Sequence, residues 1–246
     1  MRLKDKVAIV TGAAQGFGAG IARRFAEEGA KVMVADLKGD LAAEVAAEIG
    51  GASCAVNVAD EDSVKAMLAA TEEALGPVDI LVNNAGVTHL PTPLDEVSEE
   101  DFDRVYAVNM KAIYLASKII VPGMKARGSG AICNISSTAG ISPRPNLTWY
   151  NASKGWVNTA TRSMAVELAP QGIRVNAVNP VAGETPLLTS FMGEDTPEIR
   201  SKFLSTIPMG RFTTPKDIAD ATLFLCSEEA GMVTGMCMTV DGGRCI

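Results

Sequence analysis

At 246 residues, 47% hydrophobic and 21% charged, with 23 glycines and 12 prolines spread along its length, the chain has the composition of one large α/β domain that buries a sizeable core without staples. A formal charge of −7 opposes association with nucleic acid or an anionic membrane, and the single histidine, His89, excludes multi-histidine zinc sites, so no metal is expected. The five cysteines are odd in number and lack a CxxC pair, and the first apolar run, 7–10, is too short for a signal segment, so the expectation is reduced thiols in a cytoplasmic protein.

Short β-branched apolar runs alternate with helical patterns, the rhythm of βαβ units around a parallel sheet. Strands are predicted at 7–11, 31–36, 53–57, 80–83, 130–135, 174–179 and 236–240. Helices are predicted at about 17–28, 41–49, 61–75, 98–126, 150–169 and 215–227, with Asp60 and Ser98 as opening caps and Gly29, Gly50 and Gly76 as closing residues. The strands read as continuous apolar runs, as when helices cover both sheet faces. The fold class is α/β: one doubly wound Rossmann-type domain over 1–246 with a seven-stranded parallel sheet. One segment breaks the rhythm: 181–212 carries several prolines and exposed-looking Phe191, Met192 and Met209. It follows a strand's carboxyl end, where ligands bind in such sheets, which favours a substrate lid over a surface excursion with a satellite core.

The first strand runs into Thr11-Gly12-Ala13-Ala14-Gln15-Gly16-Phe17-Gly18, and then an amphipathic helix. Glycines there let the backbone approach a pyrophosphate whose charge a helix N-terminus favours. No Lys-Ser/Thr follows, which excludes a P-loop. Asp36 ends the second strand, 24 residues after Gly12, where a carboxylate accepts from an adenosine ribose diol and repels a 2′-phosphate; a helix cap is the plainer use of the same residue. This points to NAD rather than NADP.

Tyr150 and Lys154 stand four apart at the start of a long helix and share one face. An ammonium held beside a phenol favours the phenolate, and Ser137, just past the fifth strand, offers a donor to a carbonyl oxygen. TGAAQGFG at 11–18, NNAG at 83–86, Asn109 in VNMK, Ser137 in NISS and the Tyr150-Asn-Ala-Ser-Lys154 run together resemble the short-chain dehydrogenase/reductase family, over essentially the whole chain. The resemblance extends to its single-domain members, 3-oxoacyl-ACP reductases and sugar and alcohol dehydrogenases.

The resemblance implies hydride transfer between NAD(H) and a secondary alcohol or ketone. Tyr150 would be the acid/base, Ser137 would polarise the substrate oxygen, Lys154 would bind the nicotinamide ribose and lower the tyrosine pKa, and Asn109 would hold a water between lysine and solvent. Gly12, Gln15, Gly16, Phe17 and Gly18 match the phosphate loop, Asp36 the ribose carboxylate, and Asn83, Ala85 and Gly86 the adenosine-side wall. Asn57, with Val58 after it, stands where the family has an aspartate for the adenine amine, and the family's Pro-Gly is Pro180-Val181 here, with Thr185 matching the carboxamide ligand.

The substrate is expected over Tyr150, between 139–149 and the lid. Arg144 either pairs with a substrate anion or is solvated or bridges subunits; Glu184 either binds a polyol or is a surface charge; Leu147 and Trp149 either wall the pocket or pack; His89 reads as a loop histidine. Asp36 and Gln171 argue for a polyol, sugar, hydroxy-acid or cyclic-alcohol dehydrogenase over a 3-oxoacyl-ACP reductase, and the intact tetrad argues against a non-catalytic NAD(H) sensor. The same resemblance implies a homotetramer acting on a small molecule.

Overall fold

Successive residues of a strand point to opposite faces of its sheet, so a strand covered on both sides needs apolar residues at every position. β1 (Val7–Thr11) meets this: Ala8 and Val10 enter one hydrophobic core and Ile9 another. The computed structural model, which describes residues 1–246, adds β2 (Lys31–Asp36), β3 (Ala52–Ala55), β4 (Ile80–Asn83), β5 (Gly130–Ile135), β6 (Ile173–Pro180) and β7 (Cys237–Val240); the inner strands repeat the alternation, and the edge strands β3 and β7 meet one core each. In β2, for example, Val32 and Val34 face the first core and Met33 and Ala35 the second. The seven strands are all parallel, in the order β3-β2-β1-β4-β5-β6-β7. β1 leads outward to β2 and β4 leads the other way to β5, so the loops after these two neighbours part and open a crevice at their carboxyl ends.

Helices α1 (Gly16–Glu27), α2 (Gly39–Ile49), α3 (Glu61–Leu75), α4 (Glu99–Tyr106), α5 (Ala112–Arg127), α6 (Thr148–Leu168), α7 (Leu188–Met192), α8 (Pro197–Leu204) and α9 (Pro215–Cys226) connect the strands. α1, α2 and α9 cover one face through Ile21, Phe25, Val45, Ile218 and Leu223. α3, α5 and α6 cover the other through Met67, Leu115, Met124 and Leu168. The expected caps form: Asp60 Oδ1 accepts from the Ser63 N–H at 2.7 Å and Ser98 Oγ from the Asp101 N–H at 3.2 Å. α1 and α9 approach so closely that a Cβ on Gly20 would lie 2.7 Å from the Pro215 Cβ.

The structure departs from the sequence expectations at three places. β3 stops at Ala55, because the Asn57 side chain accepts from the Ala59 N–H at 3.1 Å and turns the chain. The single helix expected over 98–126 is α4 and α5 joined by a π-helical turn, Ala107–Lys111, centred on Asn109. The 181–212 segment folds as α7 and α8 around its own small core of Val181, Leu188, Met192, Ile207 and Phe212. Met192 is therefore buried, whereas Met209 stays exposed.

A chain of side-chain amides crosses the middle of the sheet. Asn83 Nδ2 donates to Asn134 Oδ1 at 2.9 Å, and Asn134 Nδ2 donates to Thr161 Oγ1 at 2.9 Å, linking β4, β5 and α6. The five cysteines are free thiols, and interaction with the Cys226 thiol, followed by burial, raises Cys133 well above the ordinary thiol range.

Phe25, fully buried between α1 and the sheet, anchors the first core. Phe25→Ala is expected to lower the unfolding free energy by about 3–5 kcal/mol, read as a fall in the urea midpoint at unchanged slope.

Candidate active site

At the end of β1 the chain turns through Gly12 with φ of +62°, and a Cβ there would lie 2.8 Å from the Ala85 Cα. Asn84 spans the parting of β1 and β4. Its Nδ2 donates to the carbonyls of Thr11 at 2.8 Å and Gly12 at 3.0 Å, while Thr11 Oγ1 accepts from the N–H groups of Asn84 and Ala85, each at 3.1 Å. α1 starts at once, with Gln15 at its N-cap making no side-chain hydrogen bond and no acidic residue in the first turn. The positive end of α1 is thus left for an anion from the cleft that Gln15, Gly16 and Phe17 line.

The cleft has a volume of about 570 Å³. At one end stands Asp36, its carboxylate oriented by the N–H groups of Ala14 at 3.0 Å and Lys38 at 2.9 Å, with Asn57 and Val58 beside it. Ala85 and Gly86 line its middle, and Ser137, Tyr150, Lys154, Pro180 and Thr185 its other end.

Ser137 lies two residues past β5 and opens a short 3₁₀ turn, its Oγ accepting from the Ala139 N–H at 3.0 Å. Tyr150 and Lys154 project from the first turns of α6, both buried. Lys154 Nζ donates to the Ile135 carbonyl at 3.0 Å and lies 5.8 Å from the centre of the Tyr150 ring. Burial dominates both titrations: it pushes the Tyr150 phenol up to about 12, opposed by the Ser137 hydroxyl, and pulls Lys154 down to about 8. The expected lowering of the phenol by the lysine is not what sets its direction here: burial raises it, and the Ser137 hydroxyl is the group that opposes this.

Four predicted residues stand off the cleft wall. Gly18 is needed for packing, since a Cβ on it would fall 2.2 Å from the Gly12 carbonyl oxygen. Asn83 points into the sheet toward Asn134, and Asn84 takes the place expected for it. Asn109 uses its amide as a clamp: Oδ1 accepts from the Val87 N–H, and Nδ2 donates to the Val87 carbonyl and to Ser153 Oγ, which in turn donates to the Tyr150 carbonyl. It and Lys154 flank Gly86, each 3.5 Å from where a Cβ would begin there. Glu184 is exposed and turned toward Arg200 and Arg211, whose charge it supports.

Other residues sort similarly. Arg144 and Leu147 line the cleft, whereas Trp149 packs edge-on against Phe102 and donates to the Leu94 carbonyl. His89 is buried away from the cleft, with Nδ1 2.7 Å from the Leu90 carbonyl oxygen. The sequence reading misses Asn84, Phe191 and Phe203 as wall residues. Phe191 meets the Tyr150 ring edge-on at 5.0 Å. Val181 is buried in the small core and its N–H donates to the Val240 carbonyl, so the chain leaves β6 still tied to β7. No helix is long and apolar enough to cross a membrane.

Comparison with known proteins gives the family. The family model described as enoyl-(acyl carrier protein) reductase matches residues 12–244. The 4-formylbenzenesulfonate dehydrogenase of Comamonas testosteroni is 47% identical, with 99% of each chain covered. The 3-oxoacyl-[acyl-carrier-protein] reductase of Thermotoga maritima is 40% identical over the full length of both. The crystal structure of a 3-ketoacyl-(acyl-carrier-protein) reductase from Brucella melitensis complexed with NADH has a TM-score of 0.95 at 48% identity, covering 99% of this chain and 100% of that one. A nucleotide cleft at the parting of β1 and β4, a buried tyrosine–lysine pair and these full-length matches make the chain a member of the short-chain dehydrogenase/reductase family, oxidoreductases acting on CH–OH or keto groups with a nicotinamide nucleotide.

Proposed function

We propose that this protein is an NAD-linked dehydrogenase of a secondary alcohol, run reversibly with the corresponding ketone, and that Ser137, Tyr150, Lys154 and Asn109 form its working set. The observation that carries this reading is a single cleft lined by Ser137, Tyr150 and Lys154 at one end and by the Asp36 carboxylate at the other. The uncapped first turn of α1 and the close-packed glycine turn fit a pyrophosphate. Gly12, Gln15, Gly16 and Phe17 would hold the diphosphate, Asp36 the adenosine ribose, Asn57 and Val58 the adenine, Lys154 the second ribose, and Pro180 and Thr185 the nicotinamide. When bound, the nucleotide supplies the hydride acceptor or donor.

The chain's own groups manage the oxygen and its proton. With its pKa near 12, Tyr150 is protonated at neutral pH and donates to a ketone oxygen as that oxygen gains charge. The Ser137 hydroxyl donates to the same oxygen and polarises the carbonyl. In the oxidative direction Tyr150 takes the alcohol proton back. Lys154, near 8, holds an ammonium beside the phenol at neutral pH and passes to the neutral amine in mild alkali. Asn109, by clamping Val87 to Ser153, keeps the loop after β4 against the helix turn that carries Tyr150. The 181–212 strap, with Phe191 on the Tyr150 ring, acts as the lid.

Asp36 supports NAD, because a carboxylate that accepts from a ribose diol repels a 2′-phosphate. A 3-oxoacyl-ACP reductase is the second reading, favoured by the Thermotoga and Brucella relatives, the latter complexed with NADH. We also propose a homotetramer, for which the exposed Tyr106, Tyr114, Trp156 and Val166 offer apolar surface. The five free thiols support a cytoplasmic setting.

Initial rates with a panel of secondary alcohols and a 3-hydroxyacyl thioester test the reading: turnover of free alcohols with NAD supports it, and turnover of the thioester alone favours the acyl reductase. Tyr150→Phe is expected to lower kcat by about 10³-fold while NADH still binds, measured by fluorescence titration. Asp36→Asn is expected to shift the NADP/NAD ratio of kcat/KM toward NADP by about tenfold or more.

A pH test follows from burial. An unfolded lysine holds its proton to about 10.5 and folded Lys154 only to about 8, so between these values the unfolded chain binds more protons and stability rises with pH. Tyr150 acts oppositely, its contribution falling between 10 and about 12. Without nucleotide, the unfolding free energy of the wild type relative to Lys154→Met is expected to rise by about 2 kcal/mol between pH 7.5 and pH 10, read by urea unfolding.

A further inference from the structure

Beyond Tyr150 the cleft ends on a guanidinium. Arg144, in the loop after β5, lines the same cavity as Ser137 and Tyr150. It lies 4.4 Å over the Phe203 ring and makes one side-chain hydrogen bond, Nη2 to the Thr206 hydroxyl at 3.2 Å. Its plane is thereby held while most of its five N–H donors stay open.

Arg144 takes part in none of the chain's ion pairs, although Arg2, Arg23, Arg24, Arg104, Arg200 and Arg211 all do. A second cation backs it. Arg244, in the turn after β7, donates from Nη1 to Ser142 Oγ at 3.0 Å, two residues before Arg144, and its Nε is buried without a partner. Asp241, the carboxylate of that turn, is occupied by the N–H groups of Gly243 and Cys245. Arg244 is near enough for its charge, after burial, to disfavour that of Arg144. A half-buried guanidinium next to a like charge, without a counter-ion, is costly unless a ligand provides one.

We propose that this corner is an anion subsite, and that the alcohol or ketone substrate carries a carboxylate or sulfonate. Open N–H groups of Arg144 bind the oxyanion in the field of Arg244, and the apolar body of the substrate lies against Leu147 and Phe191 with its reacting carbon at Ser137 and Tyr150. The subsite rests on the dehydrogenase reading of the cleft. Arg144 is a binding residue, and Arg244, off the cavity wall, is a positioning one.

The test compares 4-(1-hydroxyethyl)benzoate with its methyl ester, and separately measures benzenesulfonate binding to the NAD-loaded protein by calorimetry. The wild type is expected to favour the benzoate in kcat/KM by about 30-fold, chiefly through KM. Arg144→Gln is expected to collapse that preference toward one and to weaken benzenesulfonate binding by about tenfold or more, with Arg144→Lys recovering part of both. Arg244→Gln is expected to give a smaller loss that fades with added salt. Equal use of the two alcohols by the wild type, or an Arg144→Gln loss of equal size for both, overturns the subsite. If neither alcohol is oxidised but benzenesulfonate binds in an Arg144-dependent way, the subsite stands and the dehydrogenase reading falls. If both are oxidised and binding is indifferent to Arg144, the subsite falls and the dehydrogenase reading stands.

Discussion

Everything in the cleft depends on how β1 and β4 part company. Two adjacent parallel strands send their chains in opposite directions, and the backbone groups at that fork would lose their ladder partners if nothing bridged them. Asn84 and Thr11 are the bridge, with two donors from the amide and a hydroxyl accepting from two N–H groups. Each bond contributes only about 1 kcal/mol, yet the packing around them leaves no slack, since neither Gly12 nor Gly18 has room for a side chain. The axis of α1, and with it the charge at its first turn, is aimed by this contact.

Desolvation sets the chemistry at the other end. Tyr150 and Lys154 sit under Phe191 and against the Ile135 carbonyl, and both are driven toward their neutral forms. Such a pair stores its proton on the phenol, which suits a group that must deliver it to an oxygen. The support for this pair comes from a break in helix regularity: the π turn at 107–111 bears Asn109, whose amide clamps Val87 to Ser153.

Much of this was readable from residue order alone, for a physical reason. Strands buried on both faces are largely apolar, so short apolar runs separated by helical patterns have few ways to fold, and the Tyr150/Lys154 spacing puts both on one helix face. Parity along β4 carried further information: Asn83 ends a strand that alternates between two cores, so the next residue, Asn84, is the one facing the fork. The π turn left no mark in the hydrophobic pattern, because one extra residue per turn shifts the periodicity too little over five residues. Phe191 and Phe203 could not be assigned as walls, because their positions depend on how a long insertion folds back. The choice between the two readings of Glu184 was open for the same reason, and the lack of an ion-pair partner for Arg144 concerns what is near it in space, which residue order does not record.

The strap after β6 owes its shape to neither of the two cores that hold the sheet. Val181, Leu188, Met192, Ile207 and Phe212 pack on one another, and only Phe191 and Phe203 among its aromatic residues lean into the cleft. The part of the strap that covers the cleft is thereby folded separately from the scaffold. Substitutions in α7 and α8 can alter what lies over the cleft without touching the two cores that hold the sheet, whereas the start of the strap is tied to the nucleotide end, since Gly183 and Thr185 pack against Phe17 and Gly16.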